Sequence, residues 1–188
     1  MNMNLRSLLA AVTLVAVGVC LPLHAAVLSE EELIAQLGMP EEGKVTSALL
    51  KLEKQYPTSP TAIAAEKKLL ADPRIKVKRK AARVLGAIHA EVSKADIQAI
   101  AELLKSADPQ TVQDGLKALG GLKAQSAVPE ILPLLKSPTP NVIRDACRTL
   151  TVLGNKSVVP SIQPLLSYPD PKVQKDAADA IAALNAKG

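Results

Sequence analysis

Apolar residues recur along this chain in short blocks at intervals of four, and proline and polar residues separate the blocks. Val77, Ala81 and Leu85 form one block; Thr111, Gly115 and Leu119, then Val142, Ala146 and Leu150, then Val173, Ala177 and Ile181 form three more. Two successive steps of four put all three positions on one face of an α-helix, so each block predicts a first helix with a single buried face. The small residue in the middle leaves room for a neighbouring helix. A second register, Leu103-Leu104, Leu134-Leu135 and Leu165-Leu166, predicts a second helix after each turn.

The two registers belong to one repeat. The segment from Asp108 to Pro138 and the segment from Thr139 to Pro169 align without a gap, and 12 of their 31 positions are identical. A tandem step of this length signals helix pairs that bury their apolar faces only by stacking on one another. The expected fold is all-α, a right-handed α-solenoid of stacked antiparallel helix pairs. The array spans 72–188 and divides into 72–107, 108–138, 139–169 and a half repeat 170–188. Ahead of it, 26–71 reads as an N-terminal helical cap that opens on a capping box from Ser29 to Glu32.

Local signals set the boundaries. Asp72-Pro73, Asp108-Pro109 and Asp170-Pro171, with Thr139-Pro140 substituting once, stop one helix and preset the next turn. Ser126 and Ser157 stand where a second helix needs a cap, and Pro129 and Pro160 then fall in its first turn. Pro133 and Pro164 fall a turn further in, where a missing N–H and a clash with the carbonyl four residues back predict a bend. The first full repeat is longer than the others, with extra residues near Glu91 to Lys94 that predict a loop. On the last helix Lys175, Asp176 and Asp179 suit an outer layer.

These residues resemble the HEAT-like repeat family, in particular the short type first noted in phycobilisome lyases. In that family an Asp-Pro pair, a Val-x-x-x-Ala-x-x-x-Leu first helix and a Val-Pro second helix recur. The run from Val77 to Ile88, VKRKAARVLGAI, is the closest match, and the resemblance extends from about Asp72 to Leu184. It implies the solenoid architecture and says little about a partner, because the family serves many tasks. The family often carries Arg directly after the helix valine, which joins successive repeats. Here that position holds Lys78, Val112, Ile143 and Gln174, so no continuous Asp-Arg ladder is carried over.

Composition narrows the chemistry. Phe and Trp are absent, and Tyr56 and Tyr168 are the only aromatic residues, so the core must be Leu, Ile, Val and Ala. Binding then rests on charge, shape and aliphatic contact instead of aromatic anchors. The leader, 1–25, reads as an export signal: Arg6, an apolar run from Leu8 to Val19, and small Ala25 and Ala26 at a cleavage site near Ala25. The expected location is periplasmic or secreted. A retained anchor or a lipoprotein at Cys20 are competing readings, and Val19 before that cysteine disfavours the second. After cleavage only Cys147 and His89 remain of their kinds. Cys147 reads as a small buried apolar residue and His89 as a surface or inter-helix group. No metal site, cofactor or paired His-Glu motif is expected, and the chain is read as non-catalytic. The rival, implied by the resemblance, is an accessory enzyme or lyase of the phycobilin-lyase-like group.

Two candidate surfaces follow. Arg74, Lys76, Lys78, Arg79, Lys80 and Arg83 crowd into ten residues whose nearest acids in sequence are Asp72 and Glu91, which predicts an unpaired cationic patch. Such a patch suits an acidic protein, an envelope polymer or an anionic lipid surface; export argues against nucleic acid. The second is the second-helix face carrying Glu130, Ser161 and Gln163. Elsewhere Asp114 with Lys117 and Asp145 with Arg148 have the i to i+3 spacing of solubilising surface pairs.

Overall fold

The computed structural model describes residues 28–187, and the leader with its export and cleavage residues lies outside them. Ten α-helices make up the described chain: α1 Glu30–Leu37, α2 Glu42–Gln55, α3 Pro60–Lys68, α4 Ile75–Ala87, α5 Lys94–Ala101, α6 Pro109–Gly121, α7 Val128–Ile131, α8 Pro140–Leu153, α9 Val159–Ile162 and α10 Pro171–Ala186. No strand occurs among the described residues, and no helix there is long and apolar enough to cross a membrane.

The helices form two layers. In the first, α2, α4, α6, α8 and α10 stack side by side; in the second, α3, α5, α7 and α9 each pack behind a first helix, with α1 against α2 and α3. This is an α-solenoid, and the stacking extends back through α2 and α3. The buried face is the one the period of four predicts. Val77, Ala81, Leu85, Leu119, Ala146, Leu150, Val173 and Ala177 are all fully excluded from solvent. Ile181 departs from the column: it is half-buried, and Leu184 occupies the interior instead. As the last first helix among the described residues, α10 is covered on one flank only, by α8.

Helix starts are set by short polar side chains. The Ser29 box forms, with Glu32 Oε2 accepting from the Ser29 amide at 2.8 Å. Asp108 accepts from the amides of Gln110 and Thr111 at 3.3 and 3.0 Å, and Asp170 from Lys172 at 2.8 Å, with Pro at the first position of α6 and α10. A second capping box, Ser93 with Asp96, starts α5 immediately after the extra residues of the long repeat.

The serine caps expected at Ser126 and Ser157 do not form. A 3₁₀ turn precedes each second helix, Gln125–Ala127 and Lys156–Val158, and the Ala124 and Asn155 carbonyls take the amides of Ala127 and Val158 at 3.0 and 3.2 Å. The Asn155 side chain, in turn, accepts from the Ser157 amide at 2.9 Å.

Past one α-turn, α7 and α9 tighten into 3₁₀ segments, Leu132–Lys136 and Gln163–Ser167, one residue before Pro133 and Pro164. At the place where a bend is expected, the helix changes type. Proline is not the sole cause of the change, because α5 also ends in a 3₁₀ segment, Glu102–Lys105, that contains no proline. The prolines occupy a geometry that the repeat adopts anyway.

Glycine lets α4 and α6 approach each other closely. A Cβ placed on Gly86 would lie 2.7 Å from the Ala118 Cα, and one on Gly121 would collide with the Gly86 carbonyl. Gly115, the small residue of its block, receives Leu103 and Leu104 of the second layer instead. Both helices end on a non-glycine residue in the left-handed region, His89 (φ 51) and Lys123 (φ 53), with Ala90 and Ala124 amides reaching back to the Leu85 and Leu119 carbonyls at 3.0 Å. His89 Nδ1 then donates to the Gly121 carbonyl at 2.8 Å, tying the two helix ends together. At the far end, Lys187 Nζ donates to the Thr151 and Val152 carbonyls at 2.5 and 3.0 Å and closes the C-terminus of α8.

Candidate functional site

The six-cation cluster of α4 divides by function once its neighbours are known. Arg74 is structural: Nε and Nη2 grip the Asp72 carboxylate at 2.9 and 2.7 Å, while Nη1 donates to the Met39 and Pro40 carbonyls at 3.0 Å each. It clamps the α1–α2 connection to the start of α4, and its hydrogen bonds hold the Asp72 carboxyl below the usual carboxylate range. Lys76 Nζ lies 3.4 Å from Glu42 on α2, an exposed pair of little energetic weight. Arg79 reaches across to α6 and meets Asp108 at 3.2 Å and Asp114 at 3.0 Å. Lys78 is half-buried beside Asp72, whose carboxyl feels its charge.

The expectation that this cluster is unpaired is therefore corrected for Arg74, Lys76 and Arg79. The acids of Lys76 and Arg79 arrive from neighbouring helices, which a linear scan of spacing does not reveal, whereas Arg74 closes on Asp72 only two residues away. Lys80 and Arg83 form no ion pair or hydrogen bond among the described residues. Burial first, and the adjacent Arg83 charge second, push the Lys80 ammonium below the usual lysine value.

These two side chains enter a polar cleft of about 400 Å³ between α2, α4 and α6, lined also by Glu42, Thr46, Lys76, Arg79, Gln110 and Asp114.

Arg79 also reveals a device the sequence reading missed. Two residues after the helix valine, Arg79 and Arg144 pair with an aspartate on the next first helix: Arg79 with Asp114, and Arg144 with Asp176 at 2.7 Å. Arg148 adds contacts to Asp176 at 3.1 Å and to Asp145 at 3.5 Å. Gln113 occupies the arginine position between these rungs, so the ladder has a neutral gap between α6 and α8. In the sequence the rungs are the columns Arg79, Gln113, Arg144 and Asp114, Asp145, Asp176, and their pairing runs from one first helix to the next, a direction that spacing within a helix does not give. Asp114 accordingly does not pair with Lys117; it is buried against Arg79 and accepts from Gln110 at 3.2 Å.

The second candidate surface lies on the opposite layer. A groove of about 640 Å³ opens between α7 and α9 and their 3₁₀ extensions, lined by Pro129, Leu132, Pro133, Leu135, Lys136, Ser161, Pro164 and Leu165. Of the three residues expected here, Ser161 lines the groove, whereas Glu130 and Gln163 are exposed on the same helices but outside its lining. Pro129, Pro133 and Pro164 contribute part of its walls.

Cys147 and His89 lie outside the lining of both clefts. Cys147 is fully buried, and burial, followed by the Asp176 charge, pushes its thiol up to about 12. His89 serves the helix ends. No three His, Cys, Asp or Glu side chains gather as a metal site among the described residues.

Two stacked layers, an inter-repeat charge ladder and surface clefts on both faces define a helical-repeat scaffold. The profile for HEAT repeats matches residues 63–145 and 128–187, and the chain belongs to that family. No curated protein matches the sequence. Among solved structures it is similar to the complex of CpcE and CpcF of phycocyanin lyase from Nostoc sp. PCC7120, at 23% identity and a TM-score of 0.72, covering 85% of this chain and 66%, just under two thirds, of that one. It is also similar to a designed armadillo repeat protein in complex with the peptide (KR)4, at 19% identity and a TM-score of 0.64, covering 82% and 81%. An engineered protein matches at 22% identity and a TM-score of 0.63, covering 82% and 78%. At these identities the likeness concerns the fold alone.

Proposed function

We propose that this protein is an exported, non-catalytic scaffold that captures an acidic protein partner. The observation that carries the reading is the groove between α7 and α9. Its lining, Leu and Pro with Ser161 and Lys136, leaves aliphatic surface open to water on an otherwise charged molecule, which supports its use as an interaction site. Lys136 at the groove and the free Lys80 and Arg83 on the other layer favour a partner of negative charge. The non-catalytic part of the reading draws on Cys147, protonated and sealed in the core, and on His89, held as a helix-end tie.

The test is a photoreactive residue at Ser161 in the intact cell envelope, with a control at the exposed Ala178 of α10. One acidic protein crosslinked from Ser161, lost on Leu132→Glu and absent from Ala178, is the expected result. Equal capture from both positions overturns the reading. So does a chromophore or stoichiometric metal bound to protein purified from its own host, which would place it with the lyases.

A further inference from the structure

We infer that the cleft between α2, α4 and α6 is a discrete carboxylate-binding site, in which an Asp or Glu side chain of the partner is held between Lys80 and Arg83. This rests on the reading of an acidic partner and narrows it from a charged face to two side chains.

Of the six cations on this helix, Arg74 is saturated by Asp72 and two carbonyls, and Arg79 by Asp108 and Asp114. Lys76 has Glu42, and Lys78 lies beside Asp72 outside the cleft lining. Lys80 and Arg83 alone point charge into the cavity without a partner. They sit three residues apart on α4, so one turn of helix presents both to the same space.

The cleft lining holds four cations against Glu42 and Asp114, and the Glu53 charge on α2 acts on Lys80 as well. The lining by itself is net positive by two, and Asp108, paired with Arg79, and Glu53 stand outside it. A carboxylate meets less repulsion from Glu42 and Asp114 than a dianion does. Partial burial adds to the effect: an ammonium already taken out of water has paid part of its desolvation, so a bound anion recovers more than it would at an open surface. The cavity, about 400 Å³, admits a side chain with its flanking backbone. Gln110 at the lining, one of whose amide protons goes to Asp114, has a second N–H for the other carboxylate oxygen.

The probe is the blocked hexaglutamate peptide, titrated calorimetrically into the purified protein at low ionic strength. The double variant K80Q/R83Q should weaken binding by at least about tenfold. The variant K78Q/K117Q removes the same net charge from outside the cleft and should weaken it by less than about threefold. The variant K80Q/R83Q should keep the melting temperature of the parent, because neither Lys80 nor Arg83 holds another residue. Equal weakening by the two variants shows a diffuse field and overturns the site. Displacement of the peptide by phosphate at far lower concentration than by acetate, at matched ionic strength, also overturns the carboxylate assignment. Failure here is separable from failure of the scaffold reading: crosslinking from Ser161 reports the groove, and hexaglutamate reports only the cleft.

Discussion

Glu66 carries a sharp prediction about stability and pH. It lies on the inner face of α3, 1% exposed, and its Oε2 has no hydrogen-bond partner among the described residues. Burial, and then the Glu53 charge, raises its carboxyl from 4.5 to about 7. Between those values the folded chain keeps the proton and the unfolded chain has released it, so stability is greatest near pH 4.5 and falls as pH rises to about 7. At 1.36 kcal/mol per pH unit the full fall is about 3 kcal/mol.

Depressed carboxyls such as Asp72 and Asp108 act in the opposite direction: their contribution is present above the ordinary carboxylate range and is lost on acidification. Subtracting a Glu66→Gln variant removes them from the comparison. The assay is urea unfolding of both proteins at intervals from pH 4.5 to 7.5. The stability of the parent relative to the variant should drop by about 2 to 3 kcal/mol across that range. A difference that stays constant within about 0.5 kcal/mol would show that Glu66 is solvated or paired, and would refute the argument.

The crossing of α4 and α6 predicts a contrast between glycines. Gly86→Ala places a methyl against the Ala118 backbone, which has no flexible end to move, and should cost about 1 to 3 kcal/mol in thermal unfolding. Gly43→Ala in α2 meets nothing within 4 Å and should stabilise by about 0.5 to 1 kcal/mol. Arg144→Gln removes the half-buried rung between α8 and α10 and should lower stability by about 1 to 3 kcal/mol, while Gln113→Arg, which restores the arginine column beside the aspartate position held by Asp145 on the next first helix, should add up to about 1 kcal/mol. A neutral Arg144→Gln variant in the same denaturation assay would show that the ladder contributes nothing.

The fold was legible because it depends on local periodicity repeated at a fixed step. Val77, Ala81 and Leu85 need only their own spacing to define a buried face, and the Asp-Pro pairs need only their own chain to start helices. The charge cluster was legible as a cluster and misread as free, because the pairing of Arg79 with Asp114 and of Arg144 with Asp176 joins residues more than thirty positions apart in neighbouring helices. Glu66 gave no signal at all: one acid on a short amphipathic helix looks like any surface acid until a second layer covers it.

What the chain dictates alone is therefore the unit: helix, turn, helix, the aliphatic core, and the direction in which copies stack. Periodic burial is a property of each helix and survives translation along the array. Which cations stay unpaired, where the prolines leave a groove, and how closely Gly86 approaches α6 were decided only by packing. These depend on distances between helices, and such distances are set by the side chains of two or three elements at once.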